Sequence, residues 1–289
     1  MLWFIFSFLT AIFQSLKDVV GKKNLVDLDE YVVSFAYSLF AFISLFIVLL
    51  FTEIPKINEL FWICLIINGV LSTFALIFYM RAIKKSEISL VVPMTAFTPL
   101  FLLVTSPFIL GEFPSTYGVI GIVLIVLGSY MLHIKERNHG LLGPIKALIN
   151  EEGTKLMLIV AFIWSITSTF DKIGVVNSSP VFWLVANYGL MTLLVLPITL
   201  YKSKIENLRL IKTHAKQLFL MGFFGALVSI FQMIAITLTL VTYVVSIKRT
   251  NAVISVLFGH FVFKENHIKE RLIGVIIMVI GVIIIALFN

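Results

Sequence analysis

Apolar residues run in long blocks along this 289-residue chain, and polar residues gather in short breaks between them. Charge-poor stretches fall near 2–20, 32–51, 60–80, 88–110, 115–133, 155–175, 181–201, 217–239, 241–263 and 271–288. A helix needs about 20 apolar residues to cross the hydrocarbon layer of a bilayer, so each block predicts one membrane-spanning helix. The expected fold class is an all-α integral membrane protein of about ten transmembrane helices. Short loops join the blocks except between His133 and Lys155, where Gly140, Gly143, Pro144 and Gly153 mark a linker. No room remains for a soluble domain.

The pattern also repeats. Residues 65–132 lie over 218–285 at a constant offset of 153, without a gap. IFYMRAI (Ile77 to Ile83) falls on IFQMIAI (Ile230 to Ile236), Val91-Val92 on Val244-Val245, Glu112 on Glu265, Gly121 on Gly274 and Gly128 on Gly281. The expected organisation is a first five-helix repeat over 1–133, a linker over 134–154 and a second repeat over 155–289. An odd number of helices per copy makes the second run through the membrane upside down. Inverted repeats of this kind commonly frame a mid-membrane site that opens to either side in turn.

Composition agrees with a lipid environment. The chain is 60% hydrophobic and 13% charged, with a mean hydropathy of +1.08, whereas soluble domains run at about 45–50% apolar and about 25% charged. The N-terminus starts apolar at Leu2 with no basic lead and no small-residue cleavage site, so a retained first helix is expected. The single Cys64 excludes an intrachain disulfide framework and a cysteine metal cluster, and reads as a packing residue.

A net charge of +7 would suggest nucleic acid in a soluble chain; here it reads as topology. Counted over alternate loops, 18 of the 22 Lys and Arg fall in one set, while the opposite set holds Lys56 and Lys172; Lys248 and Arg249 lie inside the ninth helix. The positive-inside rule places the basic set in the cytoplasm and both termini outside. The expected partners are the bilayer and a small-molecule substrate, with no nucleic acid, cofactor or metal, and no oligomeric state is read from the chain.

The five-helix unit, its duplication, the small residues near the end of the third helix (Ala82, Ala235), the acidic residues closing the fourth and ninth (Glu112, Glu265) and the glycine pairs that follow resemble the drug/metabolite transporter superfamily, EamA type. The resemblance implies a ten-helix carrier for small metabolites or drugs, with a cavity between its halves. It names no substrate. It also implies cytoplasmic termini, opposite to the charge count.

Charges inside membrane helices are costly and usually face an interior or a water-filled cavity. Lys248 sits seven residues into the ninth block, with Asn251, Ala252, Ser255 and Gly259 on its helical face. Arg249 projects about 100° away, toward Val253, Val256 and His260. Lys248 and Asn251 are expected to contact an anionic or zwitterionic substrate, with Arg249 neutralising a carboxylate; the alternative is snorkelling or structural pairing. At the repeat offset lie Thr95, Thr98 and Pro99, an opposing polar wall, and Pro93 and Pro99 remove backbone donors and permit a hinge. Gln14 and Trp164 are candidate cavity residues, with helix–helix packing as the alternative; Asn68, Asn187 and Gln232 read as structural glue. Asp171 and Arg249 are expected at comparable depth, forming an ion-pair gate on the outward half that leaves Lys248 free.

Glu53, Glu59, Glu87, Glu112, Asp171 and Glu265 fall at block ends or in loops, so no central intramembrane carboxylate is expected. That favours a carboxylate- or phosphate-bearing metabolite over a cationic drug, and facilitated or exchange transport over proton antiport. Glu112 and Glu265 read as corner stabilisers, and His260 as a satisfied bundle residue. A membrane enzyme would cluster acids, bases or metal ligands at one interface. His133, His139, His214, His260 and His267 are instead scattered, so no enzyme is expected. A flippase for a phosphate-bearing lipid carrier is the alternative within the same fold.

Overall fold

A computed structural model describes residues 1–131, 151–263 and 268–288. Every regular element among them is helical. The first half holds α1 (Leu2–Asp27), α2 (Glu30–Leu49), α3 (Glu59–Lys85), α4 (Ile88–Val91), a 3₁₀ segment (Val92–Ala96), α5 (Phe97–Leu110) and α6 (Thr116–Met131). The second holds α7 (Glu152–Val176), α8 (Pro180–Lys202), α9 (Ile205–Thr213), α10 (Ala215–Leu238), α11 (Val241–Lys248), α12 (Asn251–Phe263) and α13 (Ile268–Phe288). Among the described residues six helices, α1, α2, α3, α7, α8 and α10, are each long and apolar enough to cross a membrane. The blocks at 88–110 and 241–263 are each broken into shorter pieces.

Two departures from the hydropathy pattern have physical causes. α1 continues to Asp27, past the charges that predicted its end near residue 20, because Lys17, Asp18 and Lys22 find partners inside the bundle. α9 was not foreseen; Leu208, Leu210 and Ile211 pack on the core while Arg209 and Lys212 stay exposed. Residues 132–150, most of the expected linker, lie outside the described residues, as does Glu265.

Large apolar side chains such as Ile47, Trp62, Ile66, Val104, Ile276 and Ile283 face outward, while Ser7, Thr10, Gln14, Asn68 and Ser165 are buried. This distribution reverses that of a soluble protein and suits hydrocarbon surroundings. Cys64 is buried in the core, as a packing residue should be.

Helices that are equivalent by the repeat pack in equivalent ways. α1 lies along α10, and its counterpart α7 lies along α3; α2 packs on its counterpart α8, and α6 on α13. A Cβ on Gly121 would come within 2.7 Å of the Gly281 carbonyl, and one on Gly128 within 2.6 Å of the Gly274 carbonyl. The four repeat glycines therefore let two backbones touch, as small residues do in membrane interfaces. Their order, 121 against 281 and 128 against 274, makes α6 and α13 antiparallel. α2 and α8 also run antiparallel: Asp29 caps α2 at one end of the pair, where its carboxylate accepts Ser203 Oγ at 2.9 Å, and the Tyr37 and Tyr188 hydroxyls meet at 2.9 Å near the middle. One bundle thus contains α1, α10, α11 and α12, the other α3, α4, α5 and α7.

Candidate functional site: a charged cavity between two bundles

The two broken helices define the centre. In the first half Pro93 falls in the 3₁₀ segment, where it withholds a backbone donor. At the repeat-equivalent place, Arg249 N donates to Ser246 O at 3.1 Å and Thr250 N to Ile247 O at 3.0 Å, a 3₁₀ turn that separates α11 from α12. No proline sits here. Ser246 Oγ instead back-bonds to Thr242 O at 2.6 Å, a contact that bends helices. Irregular backbone at membrane depth is tolerated where protein or a cavity surrounds it. Pro99 lies in the first turn of α5 and leaves that helix unbroken.

A cavity of about 820 Å³, mouth included, lies between the bundles. Its floor is made by Gln14, Lys17, Tyr79 and Arg249, all buried. Ser72, Trp164, Asp171 and Lys248 line it with part of their surface exposed, and Asp171 is close to the α7 end, so the mouth faces the side that carries residues 176–180.

Three cations and two carboxylates meet here. Asp18, 1% exposed, accepts from Gln14 Nε2 at 3.0 Å and from the Tyr79 hydroxyl, pairs with Lys17 at 3.5 Å, and faces Asn251 Nδ2 at 3.5 Å. Lys17 Nζ also stands 4.7 Å from the Tyr79 ring centroid and 5.5 Å from that of Tyr37. Lys248 Nζ donates to Gln232 Oε1 at 2.6 Å. Arg249, 2% exposed, lies over Trp164 and donates from Nη2 to Thr98 Oγ1 at 3.0 Å. Its Nε and Nη1 have no hydrogen-bond partner among the described residues. Asp171 Oδ1 accepts from Asn68 Nδ2 at 2.7 Å and Trp183 Nε1 at 2.8 Å.

Gln14, Trp164, Lys248 and Arg249 all line the cavity, and Asn187 and Gln232, read as glue, line it too. Lys248 and Arg249, adjacent and so about 100° apart around the helix, take different partners, Gln232 and Thr98, while both cationic groups lie over Trp164 and line the cavity. Asn251 is turned instead toward α1, where its carbonyl accepts Ser15 Oγ at 3.1 Å. Thr95 bonds its own backbone, Oγ1 to Val92 O at 2.8 Å, and is absent from the lining, whereas Thr98 reaches the cavity through Arg249. The side chains of Pro93 and His260 lie outside what is described.

Two further expectations are corrected. Asp171 and Arg249 form no ion pair in this conformation: the guanidinium sits on Trp164, two turns of α7 or about 10 Å before Asp171. A buried intramembrane carboxylate does exist, because Asp18 lies well inside α1. Asp18 stands one helical turn past Gln14 on the same face of α1, and its partner Tyr79 lies 61 residues away in the sequence. Glu112 behaves as a corner residue, accepting Val241 N at 3.0 Å while pairing with Lys172.

No curated protein matches the chain. A crystal structure superposes with a TM-score of 0.76 over 99% of this chain and 96% of the other at 14% identity, which shows a shared fold alone. The sequence model of the EamA-like transporter family, in the drug/metabolite transporter superfamily, matches residues 1–134 and 152–287. With both halves of the chain matched, the protein belongs to the EamA-like family of multi-pass membrane transporters of small molecules.

Proposed function

We propose that this protein carries a small anionic or zwitterionic metabolite by alternating access, through a cavity framed by two inverted five-helix repeats, 1–133 and 155–289. One observation carries the reading: Arg249 is buried with Nε and Nη1 unpartnered among the described residues, in a cavity whose Lys17, Lys248 and Arg249 outnumber Asp18 and Asp171. A buried cation without a full set of partners is expensive, and a carboxylate or phosphate from a solute relieves that cost. Asp171, partly exposed, offers a counter-charge to the ammonium of a zwitterion. Polar groups on α1, α3, α7, α8 and α10 suit a water-soluble solute better than a lipid chain. Under the positive-inside orientation, in a bacterial inner or plasma membrane, the cavity faces outward.

A thermal-shift screen of the purified protein tests this, since a ligand that binds the native state raises apparent stability. Carboxylate, phosphate and amino-acid metabolites are expected to stabilise it, and organic cations to have no effect. Stabilisation by cations alone would refute the reading, and stabilisation by a phosphate-bearing lipid carrier alone would replace it with the flippase.

A further inference from the structure

Two lysines, counted at first only as charges flanking the membrane, occupy related places in the fold. Lys22 lies about one turn before the end of α1, and Lys172 about one turn before the end of α7, its repeat counterpart. Lys22 Nζ donates to Ile83 O and Ser86 O, each at 2.6 Å. Lys172 Nζ donates to Thr239 O at 2.9 Å and pairs with Glu112. Ser86 and Thr239 are equivalent at the offset of 153; each is the corner residue between a long helix, α3 or α10, and the broken helix after it. Each lysine therefore ties a helix of one bundle to a corner of the other, along the seams where α1 meets α3 and α7 meets α10.

The two ties lie at opposite membrane faces. Ser86 ends α3, whereas Asn58 caps its start and donates to Asn177 Oδ1 at 2.7 Å, just past the α7 end that bears Lys172. The length of α3, about 40 Å at 1.5 Å per residue, separates the two faces.

The seams are not equally closed. Between α1 and α3, Asp18 and Gln14 bond to Tyr79, sealing the seam from mid-membrane to Lys22. Tyr79 and Gln14 make the cavity floor, whereas their equivalents at the offset of 153, Gln232 and Thr167, stand in its wall without a hydrogen bond to one another among the described residues: Gln232 accepts Lys248 Nζ, and Thr167 Oγ1 donates to Trp164 O at 3.4 Å. Inside Lys172 the α7–α10 seam is thus already parted.

Resting on the carrier reading, we infer that Lys22 and Lys172 are the opposing gates: Lys22 releases the Ser86 corner for the cavity to open to the face of residues 27–30, and Lys172 releases the Thr239 corner for full opening to the face of residues 176–180. One lysine is engaged alone in each open state.

The test is labelling of Thr167→Cys, in a Cys64→Ala background, by a membrane-impermeant maleimide added to either face of oriented vesicles, with no solute present. Lys172→Met should speed labelling from the 176–180 face and slow it from the other, and Lys22→Met should do the reverse. The expected change is roughly tenfold, as loss of one charge-assisted hydrogen bond shifts a two-state equilibrium. Glu112→Gln, which loosens Lys172 without replacing it, should act as Lys172→Met does, and Lys22→Gln as Lys22→Met does, should either methionine variant fail to fold. Unchanged labelling in the folded variants, or a shift of both lysine variants toward the same face, overturns the gates. Neither result bears on the anion screen, so the carrier reading stands or falls separately.

Discussion

The guanidinium of Arg249 lies over the indole of Trp164, 4.8 Å from its ring centroid. The arrangement joins the break between α11 and α12 to the middle of α7, across the cavity. It also explains how a cation persists at this depth with two donors unpartnered, since a desolvated cation–π contact is worth about 2 kcal/mol.

Replacing Trp164 should therefore weaken solute binding by leaving the guanidinium mobile. Trp164→Leu is expected to raise Kd about tenfold and Trp164→Phe by less, because the smaller ring keeps part of the attraction. Titration of the best ligand from the anion screen measures this, and equal affinities in both variants would show that the stack plays no part in binding.

Asp18→Asn should destabilise the empty protein, since it strips Lys17 of its carboxylate partner at 3.5 Å, and such a loss costs about 3–5 kcal/mol when the pair is buried. Lys17→Met combined with Asp18→Asn should recover most of the loss. Melting curves of the two single variants and the double variant decide it, and additive losses would mean that the two charges do not depend on one another.

Asp171→Asn should separate zwitterions from simple anions. Amino-acid binding is expected to fall about tenfold while carboxylate and phosphate binding stays within about twofold of wild type, because the change removes a counter-charge for an ammonium and keeps an isosteric acceptor for Asn68 and Trp183. Equal loss for all ligands would place Asp171 in support of the fold. The exchange Asp171→Arg with Arg249→Asp should not restore activity, as the two side chains have other partners.

Gly128→Ala should lower the melting temperature, because the new Cβ meets the Gly274 carbonyl and Met278 where α6 and α13 touch. An overpacked contact costs about 1–3 kcal/mol. Val123→Ala, on an exposed face of α6, is the control and should be close to neutral. Equal melting temperatures for both would mean that the helices part easily at their glycines.

The helices were legible because hydrocarbon demands apolar surfaces, so long apolar runs translate directly into spans. The glycine pairs were legible as a repeat, and their contact gives the repeat its physical reason. Lys17 and Asp18 were harder. Charges in a membrane sequence normally mark an interface, and only Tyr79, Gln14 and Tyr37 around them show why these two are buried. The break after Lys248 was not legible for a local reason: two residues without proline or glycine leave no mark in the helical pattern. The Asp171–Arg249 expectation used depth alone, whereas Asn68 and Trp183 claim the carboxylate from neighbouring helices.

The most direct test of the account is the affinity of one carboxylate or phosphate ligand for wild type and for Arg249→Met, measured by calorimetry on protein whose melting temperature without ligand has been recorded. The account predicts at least a tenfold loss of affinity, as removal of charge-assisted hydrogen bonds to the anion costs about 1.5–3 kcal/mol, with melting unchanged or higher because an underpartnered buried cation is gone. Undiminished affinity in a folded Arg249→Met protein would contradict it.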